Sequence, residues 1–196
     1  TEFPDRVKVL TQANIGQAAT LNKGWAMASG ELLAYLSSDD CFYPQTVSRM
    51  VAAFQRHDVA VAYCDFCLID VDGRKLREIR TEDFNARRLT VDLVCQPGPG
   101  AFFRRMIFER TGGWNVTLRQ VPDFDFWLRA EKHGSFIRVA ESLAEYRMHD
   151  ASASLKKMSI ERAEEIISVI TQHYAGMPSQ ADSREAMARA NAIAAK

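Results

Sequence analysis

Asp39 and Asp40 stand side by side at the end of an apolar run, in LLAYLSSDDCFYP (32–44). Two adjacent carboxylates repel unless a positive charge sits beside them. Asp and Ser also build plain turns, and Pro44 suits the first turn of a following helix. If the pair carries chemistry, its hard oxygens suit Mg²⁺ or Mn²⁺, ions held by one or two carboxylates together with substrate phosphates. A second acidic cluster, Asp123-Phe-Asp125, opens the segment PDFDFWLRAEKHG. A helix N-terminus favours carboxylates through its free N–H groups and its dipole. Capping accounts for one of these aspartates and leaves the other unexplained, with Trp127 and Arg129 behind it. His149, in EYRMH, is the third candidate, a residue type that serves either as a satisfied structural group or as a metal ligand. Asp65 is a polar residue late in the apolar run VAVAYCDFCLID.

The same run contains Cys64-Asp-Phe-Cys67. In a strand, side chains three apart point to opposite faces, and no second Cys/His pair completes a zinc site. The four cysteines (41, 64, 67 and 95) therefore read as ordinary thiols, and a reducing cytoplasm is their simplest home.

These candidates need elements to hold them. RVKVLTQ (6–12) has the alternation of a short strand, and Asn14-Ile15-Gly16 makes a turn into the helical QAATLNKGWAMAS, stopped by Gly30. ELLAYLS (31–37) is the near-continuous apolar run of a strand covered on both faces. QTVSRMVAAFQRH is periodic at Val47, Met50, Val51 and Phe54, VAVAYCDFCLI is a strand, and Asp72-Gly73 turns it back into RKLREIR. RRMIFERTGG and PDFDFWLRAEKHG read as helices, SFIRVA and SLAEYRM as two short strands. From Ser154 the pattern is helical, ending in the Ala-rich SREAMARANAIAAK, expected to dock weakly. Strand alternating with helix means an α/β layer architecture.

Lys+Arg and Asp+Glu number 25 each in 196 residues, a balance that lacks the basic footprint of a nucleic-acid binder. The length favours one well-packed domain. No apolar run reaches the length of a membrane span, and the chain opens without a signal-peptide pattern.

Taken in order, GQAATLNKGWAMASGELLAYLSSDD, VAYCDFCLIDVDG, QPGPGAFFRRMIFERTGGW, DFDFWLRAEKHG and EYRMH resemble glycosyltransferase family 2, over about residues 7–155. The resemblance implies the GT-A fold, a Rossmann-like mixed α/β sheet flanked by helices, over residues 1–155, with 156–196 a C-terminal helical extension. It implies a metal-dependent inverting transferase of the hexosyltransferase type. The sugar passes from a nucleotide donor (UDP-, GDP- or dTDP-linked) to a hydroxyl on a polysaccharide, a lipid-linked sugar or a protein. SSDD resembles the family's DXD-type motif, with serine at its first position. By that likeness Asp40 ligates Mn²⁺ or Mg²⁺ and Asp39 supports the sugar nucleotide. Asn22, in LNKG, matches an asparagine near the nucleotide, and Asp65 an acidic position near the sugar. Asp123 matches the catalytic base, and Asp125 joins the substrate-binding set. His149 matches a histidine that ligates the metal in many such enzymes. Pro122 stands where the family has Glu, so that residue's role is absent or supplied elsewhere.

The resemblance also implies a gap. The chain begins at Thr1, without Met, at what resembles the third strand region, so the nucleobase-binding βαβ unit at the amino end is expected to be missing. Weak nucleotide binding by this chain alone and an exposed sheet edge would follow. Two other readings stay open: a non-catalytic binding or assembly module that retains the fold, and another phosphate-handling enzyme such as a nucleotidyltransferase. A cytoplasmic setting, with peripheral association at the inner membrane face or homo-oligomer formation, is compatible with all of them.

Overall fold

A computed structural model describes residues 6–149, 158–175 and 181–194. In chain order its elements are α1 (Gln17–Met27), β1 (Leu32–Ala34), β2 (Cys41–Phe42), α2 (Thr46–Ala53), β3 (Val59–Ile69) and β4 (Lys75–Ile79). There follow α3 (Ala86–Val91), β5 (Phe102–Arg104), α4 (Arg105–Thr111), α5 (Pro122–Ala130), β6 (Ser135–Arg147), α6 (Ile160–Tyr174) and α7 (Ala181–Ala194). The α/β reading holds: one mixed sheet has the order β1-β5-β3-β6-β2, with β4 also paired to β3.

β3 is the spine. Its first seven residues, Val59 to Asp65, are all buried, as an apolar strand covered on both faces must be. On one side it runs parallel to β6, from Val59 opposite Ser135 to Ile69 opposite Arg147. On the other side β5 pairs antiparallel with its start and β4 with its end. β1 is antiparallel to β5 and so points the same way as β3 and β6. The carboxyl ends of β1, β3 and β6 thus emerge along one edge. This is the edge at which open α/β sheets bind ligands.

Two core layers cover the sheet. The larger centres on Trp25, which packs edge-on against Phe103 and stacks with Phe126 at ring-centroid distances of 5.1 and 5.9 Å. The smaller is built on Met50, Phe54, Ala62, Phe102 and Leu143 beneath α2. Val47 and Val51, counted on the apolar face of α2 from periodicity, are exposed instead.

Four expectations are corrected. Residues 7–16 form no strand; they are irregular and largely exposed, because no described strand offers their backbone groups partners. The 31–37 run is a strand only over Leu32–Ala34, after which the chain leaves the sheet. SFIRVA and SLAEYRM are one strand, β6, interrupted where its register against β3 jumps from Val139 to Ser142. That jump places two extra residues, 140 and 141, as a bulge where the sequence suggested a break. The terminal helix is firmly docked: Ala186 and Ala190 of α7 are buried in the larger core with Ile166, Val169 and Ile170 of α6. Arg87 of α3 reaches Asp182 and Glu185 of α7 at 3.0 and 2.6 Å. The helical pattern expected from Ser154 is observed from Ile160; residues 150–157 lie outside the described set.

Small alanines are what let α7 approach so closely. Ala186→Leu overpacks that contact, an error that costs about 1–3 kcal/mol. The expected result is a fall of several degrees in the thermal midpoint, at roughly 2–4 °C per kcal/mol for a chain of this size. An unchanged midpoint in a calorimetric scan would contradict the docking described.

Candidate active site

The convergence of strand ends creates a cleft of about 510 Å³. Leu36, Ser37 and Asp40 come from the loop after β1, Phe66 and Leu68 from the end of β3, and Tyr146 and Met148 from the end of β6. Alternate residues of each strand face it, as period two requires. Asp123 enters from α5. That helix leads through residues 131–134 into the start of β6, at the far edge of the sheet, so its own first turn lies at the carboxyl edge. Pro122 occupies the first helical turn, where its missing N–H costs nothing.

The Ser-Ser-Asp-Asp loop is stapled by Arg147. Its backbone N–H donates to Asp40 Oδ1 at 2.9 Å, and its Nε donates to the Asp39 carbonyl at 2.9 Å. Its Nη1 donates to the carbonyl of Asp70 at 2.8 Å, joining the β3–β4 turn to the same knot. Asp40 is buried, and burial pushes its carboxyl above the usual range; Arg147 opposes the shift and the neighbouring Asp39 charge adds to it. His149 Nε2 lies 2.9 Å from Asp39 Oδ2, and this hydrogen bond holds Asp39 below the usual carboxylate range. Among the described residues no three His, Cys, Asp or Glu side chains converge on one point. Mg²⁺ and Mn²⁺ do not require such a cage, since one or two carboxylates plus phosphate oxygens suffice. Asp40, desolvated and facing the cleft beside a second carboxylate, fits that partial donor set.

Asp123 is half-buried, and burial raises its carboxyl above the usual range. The loop before it is held by Glu165 of α6. Its Oε1 accepts from the N–H of Arg119 at 2.8 Å, and its Oε2 from Gln120 and Val121 at 2.8 and 3.1 Å. A carboxylate from α6 thus braces the entry to α5, in a chain that has Pro122 where a glutamate was expected.

The remaining expected residues lie elsewhere. Asn22 clasps the backbone of Trp114: its Nδ2 donates to the Trp114 carbonyl and its Oδ1 accepts from the Trp114 N–H, both at 2.8 Å. Asp65 accepts two bonds from Arg138, at 2.6 and 3.0 Å, and two from Thr81. Burial pushes its carboxyl up, but Arg138 and Thr81 together outweigh that and hold it below the usual range. Asp125 accepts from Arg129 at 2.6 and 2.9 Å, and Arg129 donates on to the carbonyls of Thr111 and Gly113. Neither Asn22, Asp65 nor Asp125 is in the cleft wall, and Asp39 and His149 flank it. Cys64 and Cys67 are buried free thiols, and Cys41 and Cys95 are free as well. Wall residues that pattern reasoning left out include Tyr35, Arg77, Trp114, Arg119 and Arg162. Tyr35 and Trp114 were already present in the motifs ELLAYLSSDD and TGGW; Arg119 and Arg162 carry no local signal.

Residues 1–112 match the family described as Glycosyl transferase family 2. The chain belongs to this family. Among curated relatives, an uncharacterized glycosyltransferase of Nostoc sp. is 28% identical over 167 residues, covering 81% of this chain and 52% of the relative. The chain spans about half the length of the curated relatives it first matches. Of solved structures, S. aureus TarS 1-349 in complex with UDP-GlcNAc superimposes with a TM-score of 0.69 at 14% identity, covering 98% of this chain and 58% of that one. Mannosyltransferase PcManGT from Pyrobaculum calidifontis, in complex with GDP-Man and Mn²⁺, gives 0.56 at 14%, covering 91% and 53%. These likenesses establish the GT-A fold. No helix among the described residues is long and apolar enough to cross a membrane.

Glu165→Gln puts an amide NH₂ against three backbone donors and leaves at least one of them unpaired, at a cost of about 1–3 kcal/mol. The amides of Arg119, Gln120 and Val121 should then exchange with deuterium at least about tenfold faster, while those of β3 stay protected. Equal exchange in both proteins would show that Glu165 does not brace this loop.

Proposed function

We propose that this chain carries the catalytic site of a metal-dependent, inverting transfer of a sugar from a nucleotide donor to a hydroxyl acceptor. The observation that carries this reading is that Asp40 and Asp123 reach one cleft from separate elements. Asp40, with Asp39 beside it, would hold Mn²⁺ or Mg²⁺; bound there, the ion supplies charge neutralisation for the departing diphosphate. The Mn²⁺ and GDP-Man of the mannosyltransferase neighbour, and the UDP-GlcNAc of the S. aureus one, support this donor class.

Asp123 is the general base. The acceptor hydroxyl gives its proton to the Asp123 carboxylate as its oxygen bonds to the anomeric carbon. The bond from that carbon to the diphosphate oxygen breaks, and its electron pair leaves with the nucleoside diphosphate. Attack from the face opposite the leaving group inverts the configuration. Burial serves this role by making the carboxylate a better proton acceptor. Asn22, Asp65 and Asp125 contribute by fixing the frame: Trp114 through Asn22, the β3–β6 pair through Asp65, and the end of α4 against α5 through Asp125. His149 positions Asp39. Asp65 and Asp125 act on stability rather than on donor contact.

Asp123→Asn should lower turnover by about 10²–10⁴-fold with donor binding retained. Because the carboxyl is raised, activity should fall with decreasing pH at values above the usual carboxylate range, and that acid limb should vanish in the variant's residual rate. Asp40→Asn should abolish Mn²⁺-dependent binding of UDP or GDP in a calorimetric titration. Binding that needs no metal and survives Asp40→Asn would contradict the assignment; absence of all nucleotide binding, here and in a chain extended at its amino end, would favour a non-catalytic module.

Asp65→Asn leaves Arg138 with a half-satisfied fork and should cost on the order of 3 kcal/mol at pH 7. Because Asp65 is held low when folded, its contribution is complete above the unfolded carboxylate pKa of about 4 and is lost as pH falls below that value. The wild-type and variant stabilities, measured by denaturant titration, should therefore converge in acid; a constant gap down to pH 2 would refute the linkage.

A further inference from the structure

Four buried side-chain polar atoms among the described residues lack a hydrogen-bond partner: Gln96 Oε1, Trp114 Nε1, Glu131 Oε2 and Arg162 Nε. The two donors in that set, on Trp114 and Arg162, both belong to residues of the cleft wall; the two acceptors do not. A buried donor left unpaired costs stability, more so when it is charged. In native chains such a group marks a place where something outside the chain, a water, an ion or a ligand, supplies the acceptor.

The wall also concentrates positive charge. Elsewhere the guanidinium groups of Arg87, Arg88, Arg104, Arg129, Arg138 and Arg147 are committed to carboxylates or carbonyls. Of the three arginines that line the cleft, Arg77 on β4 and Arg119 are exposed to solvent, and Arg162 alone has a buried nitrogen; neither Arg119 nor Arg162 has a side-chain hydrogen bond or ion pair among the described residues. They are held together: Glu165, one helical turn beyond Arg162, accepts from the backbone of Arg119 and of the two residues after it. Arg119 stands four residues before Asp123 in the chain, and Trp114 packs edge-on against Tyr35, just ahead of the Asp40 loop, at 5.3 Å between ring centroids. Arg162 is also the cation whose charge acts on Asp123.

We propose that Arg162, with Arg119 and Trp114 Nε1, binds an oxyanion, a carboxylate or a phosphate, carried by the acceptor, so that the enzyme elongates an anionic rather than a neutral glycan. The proposal rests on the transferase reading for the word acceptor; the oxyanion site itself stands on the unpaired donors. A guanidinium fork and an indole N–H suit a planar carboxylate or a phosphate, whereas a neutral sugar hydroxyl would leave the positive charges uncompensated. An anion placed beside Asp123 also fixes the acceptor in register with the base.

The test uses the full chain and three probes: methyl glucuronide, glucose 6-phosphate and methyl glucoside, the last as the neutral control. Titrations followed by ¹⁵N NMR should show one anionic probe binding at least about tenfold more tightly than the glucoside, the strength of a charge-assisted bond. That probe should also shift the Arg162 Nε–H signal. Which probe wins identifies carboxylate or phosphate. In Arg162→Gln the preference should fall to about twofold or less, and in Arg162→Lys part of it should remain. Binding of UDP or GDP with Mn²⁺ should be the same in all three proteins. Arg162 has no side-chain partner to orphan, so neither variant should lower the thermal midpoint. Equal binding of charged and neutral probes by the wild type, or an undiminished preference in Arg162→Gln, overturns the proposal. Loss of nucleotide binding in Arg162→Gln assigns the guanidinium to the donor and overturns it as well. Failure of the transferase reading appears separately, as Mn²⁺-independent behaviour of Asp40→Asn or full turnover by Asp123→Asn.

Discussion

The parallel pairing of β3 with β6 is the constraint on which the rest depends. Parallel neighbours leave the sheet at the same edge, so whatever follows them is brought together without any local signal. Tyr146, Arg147, Met148 and His149 reach the Asp39–Asp40 loop only because β6 runs alongside β3 and past it, in contact with β2. The hydrogen bond from the Arg147 backbone to Asp40 joins residues 107 positions apart. One local bond, from the Asp40 N–H to the Ser37 carbonyl at 3.1 Å, closes the turn, and the sheet fixes where that turn sits.

Electrostatics then divides the acidic residues by task. Asp65 and Asp125 have guanidinium partners and serve as rivets, each linking two elements. Asp40 and Asp123 are raised by burial and face a cleft, and among the described residues neither accepts a guanidinium fork, although Arg147 and Arg162 act on them by charge. An uncompensated desolvated carboxylate is costly in a resting protein and useful in one that handles cations and protons. These four aspartates carry similar sequence signals, yet only their partners tell the two groups apart.

That distinction explains what could be read in advance. The α/β class, the hairpin at Gly73 and the helices over Gln17–Met27 and Pro122–Ala130 follow from periodicity and turn chemistry, and the family from a resemblance carried by five segments in order. The irregular 7–16 segment does not, because alternation at Val7 and Val9 cannot report whether a partner strand exists. Position in a motif places Asn22, Asp65 and Asp125 near substrate, whereas their clasps with Trp114, Arg138 and Arg129 depend on residues 4 to 92 positions away. Arg162 and Glu165 lie in a helix whose periodicity is that of any amphipathic segment, so nothing local marked them. The docking of α7 was underestimated for a related reason: alanine signals little burial area but permits close approach.

The bulge in β6 at residues 140–141 bears on how this chain tolerates changes of length. Downstream of it, Tyr146 and Met148 face the cleft and Arg147 faces the acidic loop. Side chains alternate, so losing or gaining one residue at the bulge would exchange these roles, turning the staple into the cleft and the wall away from it. Single-residue indels there should therefore be purged from descendants of this chain even where the sheet itself could absorb them, while paired ones persist. A stretch that looks like slack in the strand is in effect the reading frame of the site.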